Sequence, residues 1–257
     1  MRCAFTIIFN GKHHLLHNNY YKRLIESFDH WIIAEGASGN TGSTSWCRKI
    51  PHKYHKGGSS VDGTLEFVQK LSHDYPNVHV IQNEGFWANK DHQVNECVKK
   101  IREFTPDCYL WEIDCDEQWK IEDIKESEKL LKENEAKTGL FLSNFYVGRK
   151  LLAVGEWGEG RKLPYRRLWD WKGENFQSHE PPILEGSNGK EILLPAKFDH
   201  YAYFFEKDVE FKSCFYGGHD NIHQRWKSLQ KEKNFPQPIS KLVEGNWGQT
   251  NTKIVRA

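Results

Sequence analysis

At 257 residues the chain is long enough for one large domain with a substantial core. Its 36 Lys+Arg against 35 Asp+Glu leave a formal net charge of +1. No global field therefore points to nucleic acid or to an acidic membrane surface.

The first half alternates strand and helix. Ala4 to Phe9 is an apolar, β-branched run and reads as a central strand. Tyr21, Leu24, Ile25 and Phe28 follow at helical spacing, and Trp31 to Ala34 is a second buried strand ending in Glu35. After a polar stretch from Gly39 to Ser60, a helix opens at Asp62 with Leu65, Val68 and Leu71 on its apolar face. Val78 to Ile81 is a third strand, and a helix from Asp91 carries Val94, Cys97, Val98 and Ile101 on one side. Tyr109 to Ile113 is a fourth strand. Strands alternating with helices of this length imply a mostly parallel sheet flanked by helices.

The second half is more aromatic and more irregular. A charged amphipathic helix spans Glu122 to Glu135, and strands are expected at Gly139 to Val147, Leu151 to Val154, Tyr165 to Trp171 and Phe198 to Phe205. Short helices are expected from Asp208 to the mid-230s, with residues 236–257 as a peripheral tail. No repeat or low-complexity linker divides the chain, so residues 1–257 read as a single domain. Residues 1–120 form one half and 121–235 the other.

The fourth strand runs directly into Asp114-Cys115-Asp116. Residues i and i+2 of a strand project to one side, so the two carboxylates are expected to converge just past its end. Such a pair suits Mg²⁺ or Mn²⁺ shared with substrate phosphates. In an open α/β sheet, ligands bind beyond the carboxyl ends of the strands. The polar residues at those ends are Asn10, Glu35, Asn83 and Asp114/Asp116, which are expected to line one edge.

These blocks resemble the GT-A class of nucleotide-sugar glycosyltransferases, family-2-like members in particular. The segment Ile33-Ala34-Glu35-Gly36-Ala37-Ser38 is similar to the acidic-Gly-x-Ser turn that holds base and ribose. The loop Asn83 to Lys90, before a helix at Asp91, is similar to the one leading to the metal motif, and Asp114-Cys115-Asp116 resembles that motif. The resemblance covers about the first 120 residues. It implies a Rossmann-like GT-A fold whose irregular C-terminal half completes the site. It also implies a nucleoside diphosphate sugar as donor and a glycan or other hydroxyl as acceptor; nucleic acid is not the expected partner, and a modified-base acceptor stays open. Glu35 stands where aspartate is more frequent, and the Gly39 to Ser60 insertion has no counterpart; it reads as an acceptor loop or a lid.

Glycosyl transfer leaves negative charge on the departing diphosphate, which a metal stabilises. Asp116 is the expected direct ligand, with Asp114 on the metal or the ribose. His200, in an aromatic strand late in the chain, matches the family's late histidine ligand. Lys90 and Lys212 are candidate diphosphate contacts. Glu180, before Pro181 and Pro182, sits where the family places its general base, which implies an inverting outcome. Trp46, Trp87, Trp119 and Trp157 are candidate sugar platforms or packing. A sugar-nucleotide-forming nucleotidyltransferase and a non-catalytic carbohydrate-binding protein stay open as alternatives.

The cysteines at 3, 47, 97, 108, 115 and 214 form no Cys-x-x-Cys pair and suit free thiols in a reducing compartment. No apolar run approaches the ~20 residues that span a bilayer, and the N-terminus lacks the regions of a signal peptide. A cytoplasmic location is the expectation.

Overall fold

The computed structural model describes residues 1–157, 164–186, 188–245, 248 and 250–257. The first half is β1 (Arg2–Ile8), α1 (Lys12–Leu16), α2 (Tyr20–Ser27), β2 (His30–Glu35), a short hairpin of β3 (His55–Lys56) and β4 (Ser59–Ser60), α3 (Thr64–Asp74), β5 (Val78–Gln82), α4 (Lys90–Arg102) and β6 (Cys108–Glu112). Strands β5, β2, β1 and β6 lie side by side and parallel. They are apolar on both faces because helices cover both. Ala4 and Ile8 of β1 join Leu24, Val68 and Leu131 in one core layer, while Cys3 and Phe5 join Val94, Val98 and Ile101 in the other. The two-residue alternation of a strand therefore divides β1 between two cores.

The second half continues with β7 (Glu117–Gln118), α5 (Ile121–Glu133), β8 (Thr138–Gly148), β9 (Leu151–Val154), β10 (Tyr165–Trp171), a hairpin of β11 (Phe176–His179) and β12 (Pro182–Leu184), and β13 (Glu191–His200). Helices α6 (Glu206–Phe215) and α7 (Ile222–Gln230) follow, then β14 (Gln237–Pro238) and β15 (Lys253–Arg256). Strand β10 pairs antiparallel with both β6 and β8, so the sheet changes from parallel to chiefly antiparallel at β6. The result is an α/β architecture: a mixed central sheet with flanking helices, eleven strands among the described residues.

Two expectations are corrected. The aromatic run expected as a strand from Phe198 to Phe205 leaves the sheet at His200, because the Tyr201 amide donates to Asp116 O (2.7 Å) and Phe204 N turns back to Tyr201 O. The tail is not peripheral: β15 pairs with β9, and Ile239, Leu242 and Ile254 are fully buried in a third core with Trp226 and Leu229. Positions 246, 247 and 249 of that tail lie outside the described residues. Its apolar residues are too sparse to show strand alternation, and their burial comes from long-range pairing.

Ile254→Ala should therefore destabilise the whole domain by about 2–4 kcal/mol. Urea unfolding should show a lower midpoint with an unchanged slope. A shift within about 0.5 kcal/mol, the usual surface value, would restore the peripheral reading.

Candidate functional site

The carboxyl ends of β1, β2 and β6 lie on one edge of the parallel sheet, and each end uses its polar residue differently. Asn10, in a left-handed conformation (φ 51°), donates from Nδ2 to Tyr54 O and accepts from the Val61 amide, joining β1 to the 39–60 insertion. Glu35 is buried; its Oε1 accepts from Ser60 N (2.9 Å) and its Oε2 has no hydrogen-bond partner. Burial pushes its carboxyl above the ordinary value against the hydrogen bonding from Ser60. Asn83 is exposed and closes its own loop through Nδ2 to Phe86 O (2.6 Å). That loop chemistry sets it apart from the other strand ends.

Strand β6 stops at Glu112, and the next residues form a turn with Glu117 N donating to Asp114 O (3.0 Å). The simple strand alternation expected for Asp114 and Asp116 does not extend through this turn, and the two carboxylates have separate partners. Asp114 Oδ2 accepts from Arg167 Nη2 (2.8 Å). Asp116 Oδ2 faces His200 Nε2 at 3.7 Å and Lys212 Nζ at 3.5 Å. Burial opposes charge on Asp116, yet His200 and Lys212 hold its carboxyl well below the usual range. His200 arrives because β13 pairs with β7, placing His200 opposite Glu117. Burial lowers its pKa against the pull of Asp116, and Nδ1 lies 3.2 Å from Tyr165 OH.

Arg167, on β10, is the hub of the site. Its Nε and Nη2 grip Glu117 at 2.7–3.1 Å, Nη1 reaches Glu112 at 3.3 Å, and Nη2 reaches Asp114. Arg167, Glu112 and Glu117 are all buried. Burial, with Asp114 and Asp116 nearby, pushes the Glu117 carboxyl upward, and the Arg167 guanidinium gripping it opposes that rise. Glu117 adjoins the Asp-x-Asp motif in sequence, and that acidic run was the available signal for a buried cation partner.

Lys90, at the start of α4, pairs with Glu180 Oε1 at 3.2 Å. Burial works against its charge, while Glu180, Tyr216 and Asp114 hold the ammonium on. Glu180 in turn is opposed by burial but kept below the ordinary carboxylate range by Lys90 and His179. His179 Nδ1 is 3.3 Å from Glu112. The insertion supports this wall: Asp91 Oδ1 accepts from Ser43 Oγ and from His179 N, and Glu180 N donates to Ser43 Oγ (3.2 Å). Lys212, on α6, donates to Ala202 O (2.6 Å) and lies over the Tyr203 ring. Of the four tryptophans, Trp87 and Trp119 are buried, Trp157 packs against Phe145, and Trp46 is 42 % exposed and packs on Tyr216.

The Asp116–His200 separation tests the fit of an ion. Ligands about 2.1 Å from a six-coordinate cation stand about 3.0 Å apart on an edge and about 4.2 Å across it; 3.7 Å lies between. The separation matches neither arrangement as it stands, so an ion on both Asp116 and His200 would need a shift of about half an ångström, with other positions left for water and substrate oxygens. Lys212 and an ion would compete for the same Asp116 oxygen.

No family model and no curated protein matches the chain. Solved structures do. S. aureus TarS residues 1–349 aligns at 15% identity over 58% of this chain and 37% of that one, with a TM-score of 0.39. The same protein in complex with UDP-GlcNAc aligns at 11% identity over 82% and 64%, TM-score 0.43. The chain thus spans less than two thirds of that protein in both comparisons. A 4-diphosphocytidyl-2C-methyl-D-erythritol synthase aligns at 14% over 66% and 74%, TM-score 0.35. At TM-scores below 0.5 these likenesses carry nothing about activity, which has to be read from the site.

Removing Arg167 strands three carboxylates. Arg167→Ala should cost about 3–5 kcal/mol, the usual result of breaking a buried ion pair from one side. Arg167→Lys should recover only part of this, because an ammonium cannot reproduce the two-pronged grip on Glu117. Denaturant melts of both variants check this; near-wild-type stability of Arg167→Ala would show that the network contributes little.

Proposed function

We propose that the chain is a glycosyltransferase that moves a sugar from a nucleoside diphosphate sugar to an acceptor hydroxyl with divalent-cation assistance and inversion. The observation that carries this reading is Asp116 facing His200 and Lys212 just past β6, with the Lys90–Glu180 pair near enough to act on the same Tyr216, the two lysines held charged in a part-buried setting. Three roles are required of such a site: holding a diphosphate, neutralising it as it leaves, and taking a proton from the acceptor.

Asp116 and His200 are the residues that would hold Mn²⁺ or Mg²⁺, with Asp114 close by in the grip of Arg167. When bound, the ion supplies charge neutralisation to the diphosphate oxygens. Lys212 and Lys90 supply fixed positive charge to the same group. Glu35, with its unpartnered Oε2, is assigned to the nucleoside half of the donor, where a buried acceptor selects a hydrogen-bond donor on base or ribose. Asn10 and Asn83 shape the loops on either side of it.

Glu180 is assigned as general base. Its pairing with Lys90 keeps it ionised but weakens it as a proton acceptor. A diphosphate beside Lys90 competes for that ammonium, so donor binding restores basicity to Glu180 in the complex where it is needed. Trp46, exposed and backed by Tyr216, offers a flat face for an acceptor sugar on the same side.

The test is a donor panel read by release of nucleoside diphosphate. Asp116→Asn should abolish both turnover and metal-dependent nucleotide binding. Release of pyrophosphate instead would identify the nucleotidyltransferase reading, and no metal-dependent nucleotide binding by the wild type would remove both.

Glu180→Gln should keep donor affinity and lose about 10²–10⁴-fold in the transfer rate constant. The wild-type kcat/KM should fall as pH drops through the lowered Glu180 value of the free protein, and Lys90→Met should move that acid limb to higher pH. A few-fold loss in Glu180→Gln with the limb in place would make Glu180 a wall of the site and not its base.

A further inference from the structure

A second cluster stands beside this site and has no part in the reading above. His13 and His14, on α1 directly after β1, both turn toward Asp208 in the first turn of α6. His13 Nε2 is 2.8 Å from Asp208 Oδ1, and His14 Nε2 is 2.8 Å from Asp208 Oδ2. The rings are 4.2 Å apart, and Phe205 sets its edge or face against both, at 4.9 and 5.2 Å. Among the described residues this is the one group of three such side chains whose ligand atoms all fall within 4.8 Å of one another.

We propose that His13, His14 and Asp208 form a divalent transition-metal site, suited to Zn²⁺ or Co²⁺, with two imidazole nitrogens and one carboxylate as ligands and a further position open. Two imidazoles and a carboxylate are a borderline-soft set that favours these ions over Mg²⁺. Tetrahedral ligands about 2.0–2.1 Å from zinc stand about 3.3 Å apart, so each contact needs to open by about half an ångström. A purely hydrogen-bonded triad explains the His13 contact well. It explains the His14 contact poorly: Asp208 Oδ2 has no partner of hydrogen-bonding geometry although His14 Nε2 is so close. A cation shared by Asp208 and both rings would satisfy this close approach on the two sides of the carboxylate together.

The site shares no ligand with Asp116 and His200, and it does not depend on the donor reading. It reaches that chemistry through α6. Asp208 and Lys212 are four residues apart on one helical face, and Lys212 stands 3.5 Å from Asp116. An ion here would clamp α6 to the end of β1 and fix the helix that aims Lys212.

Cobalt is the probe, because tetrahedral Co²⁺ absorbs in the visible. Metal-stripped protein without nucleotide should bind a first equivalent of Co²⁺ with nitrogen/oxygen-type bands and no thiolate charge-transfer band, and Zn²⁺ should displace it. Asp116→Asn should titrate like wild type. Asp208→Asn and His13→Gln should bind about 100-fold more weakly or worse, since outer-shell changes alone cost roughly 10–100-fold. In wild-type crystals soaked in Co²⁺, anomalous scattering should place the ion between the three residues, a readout independent of whether the variants fold. No cobalt bound at millimolar concentration, an anomalous peak elsewhere only, or unchanged affinity in Asp208→Asn would overturn the proposal.

Discussion

The site depends on one buried cation. Arg167 enters from β10 and satisfies Glu117, Glu112 and Asp114 together, so the strand after β6 can turn sharply while carrying four acidic residues within six positions. Without that guanidinium, the repulsion among Glu112, Asp114 and Glu117 in a dry interior would force protonation or unfold the turn. With it, Asp114 is held and Asp116 is left to face His200 and Lys212. The guanidinium also lies 5.2 Å from the Tyr165 ring, whose hydroxyl meets His200 Nδ1. One side chain thereby sets both the acidic turn and the orientation of the histidine opposite it.

Around this hub the chain builds walls from distant segments. The 39–60 insertion is neither free nor peripheral: Arg48 N donates to Phe215 O, Cys47 bridges to Tyr216, and Ala37, Cys47, Ile50 and Phe215 share a small core. Ser43 reaches Asp91 and Glu180 on the other side. The insertion thus joins α4, α6 and the β11–β12 hairpin. A motion of α6 would move Lys212, Tyr216 and the insertion together, which links any fixation of that helix to the geometry around Asp116.

Much of the first half was legible because its physics is local. Val94, Cys97, Val98 and Ile101 repeat at helical spacing and are all buried on α4; Trp31 to Ala34 is an unbroken apolar run and lies in the parallel core. Strands β9 and β10 also fall where their sequence places them. What escaped was set by pairing at long range. Ile254 is buried because β15 finds β9, and nothing near Ile254 announces it. The strand alternation applied to Asp114 and Asp116 failed at a turn whose anchor, Tyr201, lies 85 residues on. His13 and His14 gain their carboxylate partner only because α6 brings Asp208 to them from 195 residues away.

In the proposed function, Asp116 and His200 hold an ion that meets the diphosphate of a nucleotide. The most direct test is a crystal structure grown with Mn²⁺ and a nucleoside diphosphate. The account expects Mn²⁺ about 2.1–2.3 Å from both Asp116 and His200, within the span of first-row metal–ligand bonds, with diphosphate oxygens on the ion and Lys212 and the nucleoside next to Glu35. A nucleotide bound elsewhere, or bound at this site with no ion on Asp116 and His200, would contradict it.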